Sequence, residues 1–148
     1  AIQNKIKERS WQSGRGGRVK KVAGRVFSSQ LNESLRNVAL WLHAGGESVF
    51  LQDANTLIMR TDELTEVISF LKKTFPGINR ITSYARSKTT GRRKPEELKE
   101  LYDAGLSRLH IEMESGCDPL LQYIDKGATA AEHITGGRRV VESGISLS

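Results

Sequence analysis

At 148 residues, with 37% hydrophobic content and a single cysteine, the chain suits one packed domain and cannot form an intrachain disulfide. Its formal charge of +6 is unevenly spread, because residues 1–26 hold eight basic side chains against Glu8 alone and leave the rest close to neutral. Apolar runs are too short to span a bilayer and the start has no apolar segment of the signal-peptide kind, so the expectation is a cytoplasmic protein without membrane contact.

Residues 1–27 form a leader rich in glycine and basic residues, including Ser13-Gly14-Arg15-Gly16-Gly17-Arg18. That composition buries little apolar surface and is expected to be mobile. It reads either as a phosphate-contacting arm with Trp11 stacked on a base, or as a solvated loop, the preferred reading. Residues 28–148 are regular. Ser28 or Ser29 caps a helix to about Ala44, with Leu31, Leu35, Val38 and Leu42 on one face and Gly45-Gly46 as its stop. Val49 to Gln52 is a short strand; a loop runs to Arg60, and Thr61 caps a helix carrying Leu64, Val67, Ile68 and Leu71.

The pattern recurs along the rest of the chain. Arg80 to Tyr84 is a strand, Arg86 to Lys94 a basic loop, and Pro95 starts a helix with Leu98, Leu101 and Tyr102 inward and Gly105 past its end. Leu109 to Met113 is the third strand and Pro119 to Ile124 a short helix. Thr129 caps a helix to about Ser143, and Ile145 to Leu147 is a fourth strand. Strands about one strand-helix unit apart predict an α/β fold: a parallel sheet of about four strands, successive strands side by side, with crossover helices. The chain opens on a helix and closes in a strand, as expected of a piece from the middle of a larger repeat.

Carboxyl ends of parallel strands are where such folds bind ligands. Glu112 and Glu114 are two apart on the third strand as read, so they share a side. Asp53 and Asn55 suit a turn that bonds its own backbone. His43, His110 and His133 match no metal spacing and read as structural or exposed, with His110 on the Glu112 and Glu114 face.

Five runs together resemble the radical S-adenosylmethionine superfamily, in the branch with coproporphyrinogen oxidase-like and methylthiotransferase-like iron-sulfur proteins. They are Val49-Phe-Leu-Gln-Asp-Ala-Asn55, Ser83-Tyr-Ala-Arg86, Pro95 to Leu106, Glu114-Ser-Gly116 with Leu120 to Gly127, and Gly137 to Ser148. The resemblance implies an incomplete portion of a (βα)6 partial TIM barrel. It also implies S-adenosylmethionine and a four-iron, four-sulfur cluster in the parent protein. The site residues it implies are Gln52, Asp53 and Asn55 at the amino end of the cosubstrate, Ser83 and Arg86 at the end of the next strand, and Glu114 with Ser115 at the ribose or a cation.

The family's cluster is held by a CxxxCxxC motif that these residues lack, and Cys117 alone cannot ligate a cluster. The expectation is therefore a fragment of an oxidoreductase, inactive alone, with an unknown substrate. Glu112 stands where relatives usually have glycine. Two rival readings remain: a nucleic-acid-binding module using the basic leader and the Arg86 to Lys94 loop, and a non-catalytic scaffold. Open sheet edges add an expectation of self-association.

Overall fold

The computed structural model describes residues 33–52 and 54–148. The leader and the start of the first helix lie outside the described residues, as does Asp53. Helix α1, Glu33–His43, belongs to a first unit that ends at Glu47, and none of its residues is buried. Gly45 and Gly46 end it at φ 114° and 64°, and the Gly46 N–H donates to the Trp41 carbonyl at 3.0 Å. Those positive φ values are why two glycines stand there.

The second unit, Ser48–Ser148, alternates strand and helix. In order it holds β1 (Ser48–Leu51), a single 3-10 turn (Thr56–Ile58), α2 (Thr61–Thr74), β2 (Arg80–Tyr84), α3 (Ser87–Thr90) and α4 (Pro95–Ala104). There follow β3 (Leu106–His110), α5 (Asp118–Tyr123), α6 (Ala130–Glu142) and β4 (Ser146–Leu147). The sheet is parallel throughout in the order β1-β2-β3-β4, as the repeat predicts. Parallel strands laid down in chain order with right-handed crossovers put the connecting helices on one face. Accordingly α2 packs on α4, and α4 on α6. No described helix is long and apolar enough to cross a membrane.

Period-two alternation assigns the faces of the sheet. Ile81, Ser83 and Leu109 point to the helices and are almost fully buried, with Leu64, Ile68, Leu98, Leu101 and Val140 completing the core. Each such aliphatic side chain contributes about 1.5–3 kcal/mol through burial. Val67 and Tyr102, expected inside, are instead 40% and 42% exposed, because each sits at the margin of its helix's apolar stripe.

Strand β3 starts three residues before the predicted Leu109 and ends at His110 rather than Met113. Gly105, at φ 123°, reverses the chain directly from α4 into Leu106. An irregularity then lets Leu106 pair with Ile81 while Arg108 pairs with Thr82. Ser107 fills the gap in the ladder: its hydroxyl donates to the Ile81 carbonyl and accepts from the Ile81 N–H, both at 2.8 Å.

The predicted basic loop contains the one-turn helix α3, and its most important residue points inward. Arg93 donates from Nη2 to the carbonyls of Leu57, at 2.7 Å, and of Met59. From Nη1 it reaches Thr61 Oγ1 at 2.7 Å and Glu97 Oε1 at 2.9 Å. Arg139 of α6 donates to the Arg93 carbonyl at 2.7 Å. Thr61 is therefore not the helix cap expected: α2 begins at Thr61 itself, and its hydroxyl serves this network, donating to Glu97 Oε1 at 2.9 Å. Thr129 does cap α6, accepting from the Glu132 N–H at 3.2 Å while Glu132 accepts from the Thr129 N–H at 3.0 Å.

The Glu97 carboxyl is held below its ordinary range, chiefly by the Lys94 backbone N–H, then by the Thr61 hydroxyl, with Arg93 adding to both against partial desolvation. A depressed carboxyl stabilises the fold above its ordinary value of 4.5 and loses that contribution as the pH falls through the lower folded value. The Glu97→Gln variant is thus expected to be less stable at neutral pH, with a urea midpoint that declines less steeply on acidification than the wild type's.

Helices α3 and α6 touch at Gly136, where an added Cβ would lie 2.5 Å from Thr90 Oγ1 and closer still to the Ser87 carbonyl oxygen. At the same contact Ser87 Oγ bonds His133 Nδ1, and His133 is buried. The backbone of α3 cannot give way cheaply. Gly136→Ala is expected to cost about 1–3 kcal/mol in urea unfolding. Gly137→Ala meets only the mobile end of Leu147 at 3.2 Å and is expected to be neutral or stabilising by up to about 1 kcal/mol.

Candidate functional site

Three loops leave the carboxyl ends of β1, β2 and β3 on the same end of the sheet, as parallel strands require. Gln52 is exposed immediately after β1. Asn55 ties the first loop to the second: its Nδ2 donates to Thr89 Oγ1 at 2.8 Å, and its Oδ1 accepts from the Arg86 N–H at 3.1 Å. The turn reading for Asn55 had it bonding its own backbone; it bonds the neighbouring loop. Arg86 is held through that amide, with its side chain exposed.

Ser83 is 1% exposed. Its hydroxyl lies 3.1 Å from the Leu51 carbonyl and bonds Thr56 Oγ1. These bonds anchor the first loop to β2. Together Asn55 and Ser83 make the mouth of β1 and β2 a cross-braced frame.

Glu112 and Glu114 do not lie on a strand, since β3 ends at His110. They are brought together another way, through Lys126 after α5. Its ammonium lies 3.1 Å from Glu114 Oε1 and 3.8 Å from Glu112 Oε2. Glu114 has φ 63°, a left-handed conformation uncommon for a residue with a side chain. That turn aims the carboxylate back toward Lys126, and among the described residues its second oxygen has no partner. Ser115 Oγ accepts from the Cys117 N–H at 3.0 Å and fixes the turn into α5. The sequence offered Lys126 only as part of a run; the signal was a cation placed one short helix after two carboxylates.

The side of the sheet opposite the helices carries a second constellation. Phe50, Tyr84 and His110 come from three adjacent strands and cluster there. The Phe50 and Tyr84 rings meet edge to face with centroids 4.9 Å apart, and His110 is 5.8 Å from each. Such contacts contribute about 0.5–1.5 kcal/mol beyond burial. Phe50 and Tyr84 nonetheless remain 37% and 39% exposed. His110, expected beside Glu112 and Glu114, belongs to this ring cluster instead. Phe50 read only as part of a short strand, and the cross-strand register places the three together.

Two other features are weaker candidates. A depression of about 190 Å³ between α3 and α6, lined by Ser87, Lys88, Arg92 and Glu132 among others, is smaller than the 300–1,000 Å³ of ordinary ligand sites. Within the basic segment 86–94, Arg93 is committed to the core and Lys88 lies 3.7 Å from Glu132.

No protein-family model matches the chain, and no curated protein matches it. Among solved structures, the cobalamin-dependent S-adenosylmethionine radical enzyme OxsB, with aqua-cobalamin and S-adenosylmethionine bound, is similar. Its TM-score is 0.53 at 18% sequence identity, over 87% of this chain and 18% of that one. The shared property is the fold. This chain thus spans less than a fifth of the OxsB chain and shares its α/β fold over that stretch.

The brace between loops has a direct readout. Asn55→Ala is expected to speed hydrogen exchange of the Arg86 amide about tenfold, the upper end for one lost hydrogen bond. Amides in β3 are expected to keep their protection.

Proposed function

We propose that the chain is part of the barrel wall of a radical S-adenosylmethionine iron-sulfur oxidoreductase, contributing a portion of the cosubstrate cradle. The observation that carries this reading is that the loops after β1, β2 and β3, bearing Gln52 and Asn55, Arg86, and Glu114-Ser115, leave one end of a parallel sheet, with Ser83 on β2 bracing the first of them. The fold shared with OxsB supports it.

Within that reading the residues divide into two groups. Asn55 and Ser83 have their polar atoms engaged within the chain and position the loops. Gln52 and Arg86 are exposed, and Glu114 keeps an oxygen available, so these three suit polar contacts to the cosubstrate. Glu114, 3.1 Å from the Lys126 ammonium, offers its other carboxylate oxygen as a hydrogen-bond acceptor suited to a ribose hydroxyl. Asp53 belongs to the same loop in sequence.

The donor set does not fit the cluster. The chain has one thiol, exposed Cys117, and the described residues contain no group of three or more His, Cys, Asp or Glu able to hold a metal ion. No chemical step is therefore assigned to these residues, and the isolated chain is expected to be inactive.

The test is anaerobic purification of the protein with its flanking coding sequence, reconstitution with iron and sulfide, and electron paramagnetic resonance of the reduced sample. The expected result is a reduced four-iron cluster signal that changes when S-adenosylmethionine is added. A protein that takes up no cluster overturns the reading.

A further inference from the structure

The face of the sheet opposite the helices combines two features. One is the ring cluster of Phe50, Tyr84 and His110, whose edges remain substantially exposed. The other is Arg108. It lies two residues before His110 on β3 and so shares its face, and it pairs in register with Thr82, itself the partner of Phe50. Arg108 is half-buried. Every other arginine in the core of this unit has acceptors: Arg93 takes four and Arg139 takes the Arg93 carbonyl. No ion pair or side-chain hydrogen bond to Arg108 is found among the described residues.

A half-buried guanidinium is fully charged at any physiological pH and gains most from an oxyanion in its plane. We propose that Phe50, Tyr84, His110 and Arg108 form a subsite for an arylalkyl carboxylate, the ring against the aromatic cluster and the carboxylate, a few methylenes away, on Arg108. Two residues of parallel strand separate His110 from Arg108, about 6.6 Å, and that sets the distance from ring to acid group. A carboxylate is the oxyanion chosen because two parallel N–H donors of one guanidinium satisfy it. The inference deepens the proposed function by naming a substrate class, and it rests on that reading's placement of ligands within the barrel wall.

The probe is phenylbutyrate, titrated into the full chain while the ring signals of Phe50, Tyr84 and His110 are followed by NMR. Phenylbutanol removes the charge and cyclohexylbutyrate removes the aromatic ring. The expected result is that the acid shifts all three ring signals and binds at least tenfold tighter than either analogue. Arg108→Gln abolishes the preference for acid over alcohol, and Arg108→Lys keeps part of it. Equal binding of acid and alcohol, equal binding of the cyclohexyl acid, or no binding at all overturns the proposal. Because the analogue comparison uses the unaltered chain, an unstable Arg108 variant leaves it decisive. Displacement of phenylbutyrate by S-adenosylmethionine also overturns it, by assigning the rings to the cosubstrate. Cluster uptake by the full protein is measured separately, so a failed subsite and a failed family reading give different results.

Discussion

One guanidinium fixes the geometry on which the rest of the second unit depends. Arg93 binds two carbonyls from the loop after β1, the first residue of α2, and a carboxylate of α4, while its own carbonyl receives Arg139 of α6. Its side chain is only 15% exposed. A charge so placed is tolerable because each terminal nitrogen of its planar fork meets two acceptors; lysine, a compact point charge, would leave carbonyls unpaired. Three helices and a loop are thereby referred to a single residue, which explains how a loop with little apolar content holds a defined shape.

The loops themselves are built to be stiff where they meet. Asn55 spans from the first to the second, and Ser83 with Thr56 pins the first to the sheet. Flexible binding loops must be ordered when a ligand arrives, at an entropic cost to affinity. Here much of that ordering is already present. The third loop follows a different principle, with Glu114 in a left-handed conformation and two carboxylates gathered on Lys126. Such backbone outliers cost of order 1–3 kcal/mol and persist where surrounding contacts determine them.

The sequence was most readable where a single local rule governs. Arg80–Tyr84, the Pro95 start and Gly105 stop of α4, and the Thr129 cap of α6 follow from propensity, proline and glycine chemistry, and the capping box. Features set by distant partners were not readable. Helix α3 is Ser-Lys-Thr-Thr, a poor helix by propensity, formed because Gly136 lets α6 approach it. Arg93 looked like one more charge in a solvated run, since nothing nearby in sequence announces two carbonyls from residues 57 and 59. In the candidate site, Gln52 and Arg86 lie just past the ends of β1 and β2 as read, whereas Glu114 sits beyond the end of β3 and the aromatic cluster arises only from register across three strands. The third strand was misplaced because Leu106 and Leu109, three apart, both face the core, which breaks the alternation that defines a strand.

That break has a wider meaning. By inserting Ser107 between two core leucines, the chain resets which parity faces which side, so α4 can enter the sheet in one phase and β3 can leave it in the other. Leu106 then answers to folding, while Arg108 and His110 answer to whatever occupies the opposite wall. Point changes on that wall leave the core's register untouched, but loss of a single residue at the insertion would exchange the two sides of the strand end. Ser107 thus acts as a clutch between the buried side of the strand and its open face.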